Sequence, residues 1–501
     1  MNKMKLSAKL NKAALLVLIM VLGSTFQAAA QEKNRRLTLD EAIEISKAQS
    51  PDALNAKQTF RTSYWEYRSY TASNLPALSF SATLPEINQT ITPQSINGVQ
   101  SYASYKYISA NAGLALAQKI GLTGGTISII SKLSGQHNVD YANETPFLTT
   151  PITVDFNQPL FTYNSFRWDK KIKPLKYSLA KRKYIEDCEQ IAITATTYFF
   201  TLLQAQVQQK IALTNLSNYD TLYRIAKGRF QLGKIAENDL LQLELNFLKA
   251  QAQVENADLD LDNAQFRFKS YLRLQDSIKI TLLPPDDIRF FKIDPKKAVN
   301  QANDNSSTSL DLKRRLLESA SAVNYAKLNE RFDANLHAII GLQQAGSTLN
   351  DAYKNPADQR YVSLGLTIPI VDWGVARGKI KMAQSQDEIV KNTVEQEVID
   401  FQRSVYLKVV QFNMQQNQVR IAAKSDTVAR KSYEVTKGRY LIGKINSILE
   451  LNNAQIETDN AEKSYYESLQ TFWRSYFEIR KLTLYDFIRE TPITFNLKDI
   501  K

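Results

Sequence analysis

Tyr223-Arg-Ile-Ala-Lys-Gly-Arg-Phe-Gln-Leu-Gly-Lys-Ile235 and Tyr433-Glu-Val-Thr-Lys-Gly-Arg-Tyr-Leu-Ile-Gly-Lys-Ile445 lie 210 residues apart and agree at seven of thirteen positions. Identity that dense, set in each half between long helical patterns, marks the duplication of one structural unit. Upstream of the first copy, Ala195, Tyr198, Leu202, Ala205, Ala212, Leu216, Tyr219, Tyr223 and Ala226 keep spacings of three and four, interrupted by Gln209, with no proline after Pro174. A helix of about 60 residues is ~90 Å long at 1.5 Å per residue, far more than a compact globular domain needs. Glycine accepts the positive φ that ends a helix, so Gly233 and Gly443 predict points where each helix reverses. The returning helices are 239–271, with Leu241, Leu245, Leu248, Ala252 and Leu259 as its stripe, and 446–480, which follows 379–436.

Both repeats also match Gly-x-x-x-x-Gly-Lys, at Gly228 to Lys234 and Gly438 to Lys444, the start of a phosphate-binding loop. That chemistry needs a Ser or Thr next for magnesium and a strand before it. Ile235 and Ile445 follow instead, and helix precedes, so the motif reads as a turn.

Ahead of each helical pattern the sequence alternates. Strand patterns cover 75–84, 105–116, 126–133 and 152–161 in the first half and 334–342 and 361–371 in the second. Ile152-Thr-Val-Asp-Phe-Asn-Gln-Pro-Leu-Phe161 and Val362-Ser-Leu-Gly-Leu-Thr-Ile-Pro-Ile-Val371 put apolar side chains on one face, at about the length of a tilted membrane strand. Before the strands, Leu37-Thr-Leu-Asp-Glu-Ala-Ile opens a helix that Thr38 or Asp40 can cap and Ser50-Pro51 ends. The stretch 298–327 repeats this arrangement at an offset of 256, with Ala42 matching Ala298, Leu54 matching Leu310 and Lys57 matching Lys313. The fall from 256 to 210 gives the first half 46 residues that the second lacks, between its opening and closing strands. Within them Gly121-Leu-Thr-Gly-Gly125 predicts an added hairpin, and the pattern leaves open whether its strands join the same sheet.

Lys3, Lys5, Lys9 and Lys12, the apolar run Ala13 to Leu22 and Ala28-Ala29-Ala30 before Gln31 have the layout of a cleavable secretory signal over 1–30, with no cysteine at the junction for an acylated anchor. Losing its four lysines lowers the formal charge from +13 to +9, which does not indicate nucleic acid. The first repeat then spans 31–297 with its helical hairpin at 163–275. The second spans 298–482 with its hairpin at 373–482, and a tail covers 483–501. Beyond the signal no apolar run reaches eighteen residues, so a membrane span must be a β-barrel. Cys188 reads as a packed core thiol, and His137 and His337 are isolated. No paired carboxylates, Ser–His set or metal cluster stands out, so neither enzyme chemistry nor a cofactor is expected.

The fold class is mainly α with a membrane β segment, in two tandem repeats of strands followed by a long coiled-coil hairpin. Four such strands per chain, or six with the insert, cannot close a barrel, because spanning barrels need at least about eight and lipid does not tolerate an open edge. Copies must complete the wall: two, three or four chains give eight, twelve or sixteen strands from the shared set.

The signal, the opening Leu37-Thr-Leu-Asp-Glu-Ala-Ile, the strand ends Gln158-Pro-Leu-Phe161 and Ile368-Pro-Ile-Val-Asp-Trp-Gly374, and the paired Gly-Arg-aromatic-x-x-Gly-Lys-Ile tips together resemble the TolC-like outer membrane efflux proteins. The resemblance implies a homotrimer: a twelve-stranded barrel in outer membrane lipid, continuous with a periplasmic helical barrel whose tip meets an adaptor protein coupled to an inner membrane pump. It makes Gly228, Gly233, Lys234, Ile235, Gly438, Gly443, Lys444 and Ile445 adaptor-docking candidates. Lys227, Arg229, Lys437 and Arg439 join the two lysines as six cations per chain there, which steer an acidic partner or complement helix C-termini. Asp239, Tyr440 and Asn452 fall at the family's periplasmic gate, where closure through Asp239, Tyr440 and apolar packing is expected. Ile445 replaces a frequent arginine link, and Leu449 and Asn452 occupy the positions of an aspartate ring. Phe161 and Trp373 are girdle candidates at the lipid headgroups. The expected function is a passive exit duct of tripartite efflux or type I secretion. A secreted coiled-coil scaffold or adhesin is the rival, and it leaves the alternating strands unexplained.

Overall fold

The computed structural model describes residues 34–96, 99–139, 146–275, 278–285, 290–444 and 448–495; the expected signal segment and Ile445 lie outside them. Strand β1 (Asn34–Leu37) leads into helices α1 (Leu39–Gln49) and α2 (Pro51–Ala72). Strands β2 (Ala77–Ile96), β3 (Val99–Ile120), β4 (Gly125–Asn138) and β5 (Phe147–Leu160) come next. The long helix α3 (Ser165–Gln231) and its return α4 (Glu237–Leu272) close the first series. After β6 (Lys279–Leu282) the series recurs as α5 (Pro295–Asn305), α6 (Ser307–Asn329), β7 (Asp333–Gly346), β8 (Ala357–Thr367), α7 (Val375–Leu441) and α8 (Ile448–Thr483). The duplication is metrically close: α1 and α5 have 11 residues each, α3 and α7 have 67, and α4 and α8 have 36.

Contacts divide the chain into two compact units, each drawing on both sequence halves. One comprises the residues up to Thr59, Arg182–Ser306 and those from Asp400 onward. Its core is built where helical stripes meet, with Phe199, Phe200, Phe268, Phe412, Leu469 and Ile479 essentially inaccessible. Burying one such side chain is worth about 1.5–3 kcal/mol, so these six positions anchor the unit. On α4 the buried residues Leu243, Ala250, Ala257, Leu261, Ala264 and Phe268 follow heptad spacing, the mark of coiled-coil packing. Of the two candidates, Thr38 caps α1 and Asp40 lies in its first turn: the Thr38 hydroxyl accepts from the Glu41 N–H while the Glu41 carboxylate accepts from the Thr38 N–H. Strand β1 lies parallel to β6 and buries Leu37, Ile280 and Leu282. Burial pushes the Cys188 thiol up, which keeps it protonated and inert.

The other unit comprises Phe60–Lys181 and Ser307–Ile399. It holds one six-stranded antiparallel sheet in the order β2-β3-β4-β5-β7-β8. The inserted residues therefore supply two strands of this sheet: β3 and β4 turn at 121–124 and stand between β2 and β5. Strands β2 and β3 run longer than the alternation suggested, because their ladder continues past a bulge at Thr83/Glu86 out to Ile96 and Val99. At the other edge the strand expected to end at 371 stops at Thr367. Its counterpart β5 reaches Leu160 because β7 pairs with it there, whereas β8 has no neighbour on its outer side.

Candidate functional sites at the sheet and the hairpin tips

Strand pairing sorts the sheet into two unlike faces. Leu78, Leu116, Ile129, Val154 and Ile340 stand in one lateral row across β2, β3, β4, β5 and β7, and Ile127, Phe156, Ala338 and Val362 continue that face in the next. Along β7 the same face carries Ala334, Leu336, Ala338, Ile340 and Leu342, a nine-residue run of the length a tilted membrane strand uses. Many of its large members are exposed, including Leu78, Phe80, Ile129, Ile340, Val362 and Leu364. A contiguous apolar surface of this kind marks a face that is not bathed in water. No helix among the described residues is long and apolar enough to cross a membrane.

The opposite face is mostly polar, with a few apolar or aromatic members. One row runs Ala77, Ala117, Ser128, Asp155, Ile339 and Tyr361, and the next runs Lys119, Thr126, Asn157, His337 and Ser363. His337 Nε2 lies 3.2 Å from both Asp155 oxygens, and its ring meets Tyr361 edge-on at 5.7 Å. Sequence reading left His337 isolated. Only the β5–β7 pairing brings it to Asp155.

Phe161 and Trp373 both lie in the links from strand to helix, and both are exposed, Trp373 at 95%. Each has positive φ, 62° and 54°, and Phe161 packs against Phe332 at 5.8 Å.

At the far ends of α3 and α7 the two repeats build the same cap. Gly233 and Gly443 have φ of +67° and +73°. Gly233 N–H donates to Phe230 O and Lys234 N–H to Arg229 O at 2.8 and 2.9 Å; Gly443 donates to Tyr440 O and Lys444 to Arg439 O at 3.1 and 2.9 Å. These are two Schellman motifs with glycine at the left-handed position, so the sequence-predicted reversals fall where they were placed. A Cβ added at Gly228, Gly233, Gly438 or Gly443 would meet nothing within 4 Å, which leaves the tip surface open. Lys234 and Lys444 are exposed there, and Ile235 packs partly against the cluster beneath.

That cluster comprises Leu222, Ala226, Leu243, Tyr433, Tyr440, Ile448 and Leu451, and it joins both hairpins of the same chain. Tyr440 is 2% exposed, with the Arg229 guanidinium 5.4 Å over its ring while Arg229 Nη2 donates to Leu441 O at 3.0 Å. Burial raises the Tyr440 hydroxyl, Arg229 opposes the rise and Asp239 adds to it, so Asp239 acts on Tyr440 from the first turn of α4. Asn452 is buried and accepts from the Tyr219 hydroxyl at 3.3 Å. Three of the six tip cations are engaged: Arg229 as above, Lys437 with Asn218 at 2.9 Å and Arg439 with Glu450 at 3.8 Å. Lys227, Lys234 and Lys444 are exposed and pair with no carboxylate among the described residues.

One polar group behind the tips had no signal in the sequence. Asp459 accepts from Asn215 Nδ2 at 2.7 Å and from Gln455 Nε2 at 2.9 Å, in the wall of a 390 Å³ cavity, and burial raises its carboxyl. Asn215 Oδ1 is buried there without a partner among the described residues.

The chain thus carries a six-stranded sheet with one apolar face and two long coiled-coil hairpins. The family model described as outer membrane efflux protein matches residues 142–272 and 335–483, more than half of the chain, and the protein belongs to that family. Among solved structures the fold is similar to the Campylobacter jejuni CmeC outer membrane channel, at TM-score 0.63 and 17% identity, covering 89% of this chain and 85% of that one. It is similar to the open state of the Neisseria gonorrhoeae MtrE outer membrane channel at TM-score 0.60 and 13% identity, covering 89% and 88%. The outer membrane protein VceC of Vibrio cholerae matches at TM-score 0.60 and 11% identity, covering 89% and 95%. No curated protein matches the chain by sequence.

Proposed function

We propose that this chain is the outer membrane exit duct of a tripartite efflux or type I secretion system, working as a homotrimer. Transport through it is passive, and energy comes from an inner membrane pump coupled through a periplasmic adaptor. The observation that carries the reading is the continuous apolar face of the six-stranded sheet: it needs lipid on that side and sister strands at both edges. A secreted coiled-coil scaffold would have to leave the same face in water.

In this reading the tips at Gly228, Gly233, Lys234, Ile235, Gly438, Gly443 and Lys444 receive the adaptor, with Ile445 beside them, and the unpaired lysines steer it. Asp239, Tyr440 and Asn452 belong to the gate, because the Tyr440 cluster is what holds the two hairpins of a chain together near their ends. Phe161 and Trp373 mark the lipid headgroup level at the strand-to-helix links.

Heat-modifiable, detergent-resistant oligomers in isolated outer membranes, with co-purification of an adaptor, are the expected results. A monomer in the soluble periplasmic fraction would favour the scaffold instead. Tyr440→Phe removes the hydroxyl beside Arg229 while keeping the ring, and at about 1 kcal/mol it should raise the open fraction roughly fivefold. Asp239→Ala acts in the same direction. Unchanged single-channel conductance in planar bilayers would remove both residues from the gate.

A further inference from the structure

The chain contains one copy of a junction that it must make a second time. Inside the chain, the closing strand of the first half, β5, pairs with the opening strand of the second half, β7, through Val154↔Ile340, Phe156↔Ala338, Gln158↔Leu336 and Leu160↔Ala334. The closing strand of the second half, β8, and the opening strand of the first, β2, are the two free edges of the sheet.

The duplication converts one junction into the other. Opening segments correspond at an offset of 256, and β2 starts at Ala77 where β7 starts at Asp333. Closing segments correspond at 210, and α3 starts at Ser165 where α7 starts at Val375. Carrying the four β5–β7 pairs across these offsets yields Leu364 with Leu84, Leu366 with Ala82, Ile368 with Phe80 and Ile370 with Leu78. All eight side chains are apolar, and all eight are exposed, with Leu78 at 70%, Phe80 at 69% and Ile370 at 92%. The transferred pairing is antiparallel, as an even-numbered ring requires, and it sets the apolar face of one edge beside that of the other. A slip of one residue would put Ile368 and Ile370 opposite Ser79 and Ser81 or turn one face inside out. The transfer also accounts for 368–371, which alternates like the end of β5 yet forms no strand: its partner lies on another copy.

We infer that β8, extended through Val371, pairs with β2 of a second copy of this chain in that register. Because the inserted strands β3 and β4 are part of the wall, three copies close an eighteen-stranded barrel, where the resemblance implies twelve. Diameter grows roughly in proportion to strand number, so the barrel end is about 1.5 times as wide as a twelve-stranded one. This rests on the trimeric duct reading for the number of copies; the register itself does not depend on it.

Cysteine pairs in the full-length protein, in outer membranes and on a Cys188→Ser background, test the register. Leu78→Cys with Ile370→Cys, Phe80→Cys with Ile368→Cys, and Ala82→Cys with Leu366→Cys probe three successive directly opposite pairs on the apolar face. Copper-phenanthroline oxidation should move most of the chain into a reducible ladder that stops at three copies, with each single-cysteine variant remaining uncrosslinked. The shifted pairs Phe80→Cys with Leu366→Cys and Ala82→Cys with Ile368→Cys should crosslink at least tenfold less. Crosslinking that favours the shifted pairs, or none in any pair while detergent-resistant oligomers persist, overturns the register and leaves the duct reading standing. A ladder that stops at another number overturns the eighteen-stranded count. Variants that yield only soluble monomers, as the parent also would, remove the duct reading together with it.

Discussion

Replacing Arg480 by methionine should cost about 3 kcal/mol, and the structure says where that figure comes from. Arg480 Nε and Nη2 donate to the two Glu189 oxygens at 2.8 and 3.0 Å, and Nη1 donates to Asp486 Oδ2 at 3.0 Å. The Glu189 side chain is only 2% exposed. Burial works against the Arg480 charge, but Glu189 outweighs it and holds the guanidinium firmly protonated. Breaking a buried pair from one side leaves an uncompensated charge at a cost of about 3–5 kcal/mol, and Lys47, 3.9 Å from Glu189 Oε1, places this case at the lower end. Replacing Glu189 by leucine as well removes the more deeply buried of the two stranded carboxylates and leaves Asp486 with the Tyr476 hydroxyl and the Ile488 and Arg489 N–H groups, so the double variant should recover most of the loss. Urea unfolding followed by far-UV circular dichroism, at one fixed protein concentration so that any self-association bears equally on each variant, reads all four corners of the cycle. A single-variant loss below about 1 kcal/mol, or a double variant that loses the sum of the two, would refute the argument.

Gly233→Ala should cost about 1–2 kcal/mol of local stability from the left-handed backbone alone, since its Cβ would meet nothing within 4 Å; the amide of Lys234 would exchange roughly 5- to 30-fold faster by hydrogen–deuterium mass spectrometry, with Gly233→Asn less affected. Equal exchange in the alanine variant and the parent would mean the cap is not formed. Burial would raise the Asp486 carboxyl, but the Arg489 N–H, Arg480 and the Ile488 N–H outweigh it and hold it below the usual range. A depressed carboxyl stabilises above its unfolded value of about 3.9 and loses that stabilisation as pH falls through the folded value, so the gap between parent and Asp486→Asn should narrow below about pH 4. A gap independent of pH from 7 to 3 would count against it. Ile129→Lys sets a charge on the apolar face of an inserted strand and should cost about 2–4 kcal/mol in lipid vesicles, while Ser128→Lys on the opposite face should be nearly neutral. Equal losses at the two positions would place β4 outside the lipid-facing wall.

How much of this was legible beforehand differs from element to element. The twofold plan, the α1 cap at Thr38 or Asp40, the helix reversals at Gly233 and Gly443 and the hairpin at 121–125 are local matters of spacing, capping and permitted φ, and neighbouring residues carry that information. Tyr440 was singled out by resemblance, but its burial beside Arg229 depends on the packing of one hairpin against the other. Asp155 with His337, Asn215 with Asp459 and Arg480 with Glu189 join residues 182, 244 and 291 positions apart. No periodic pattern encodes such pairs.

The amino-acid sequence by itself determined that two similar units exist, that each is a run of alternating residues followed by a long helical hairpin, and that 46 extra residues enter the first, because repeats and periods are properties of order along the chain. Only the tertiary structure decided that the extra strands stand inside the same sheet and that β5 lies beside β7. The physical reason is that hydrogen bonding between strands is set by which edges meet in space, and many strand orders satisfy the same alternation.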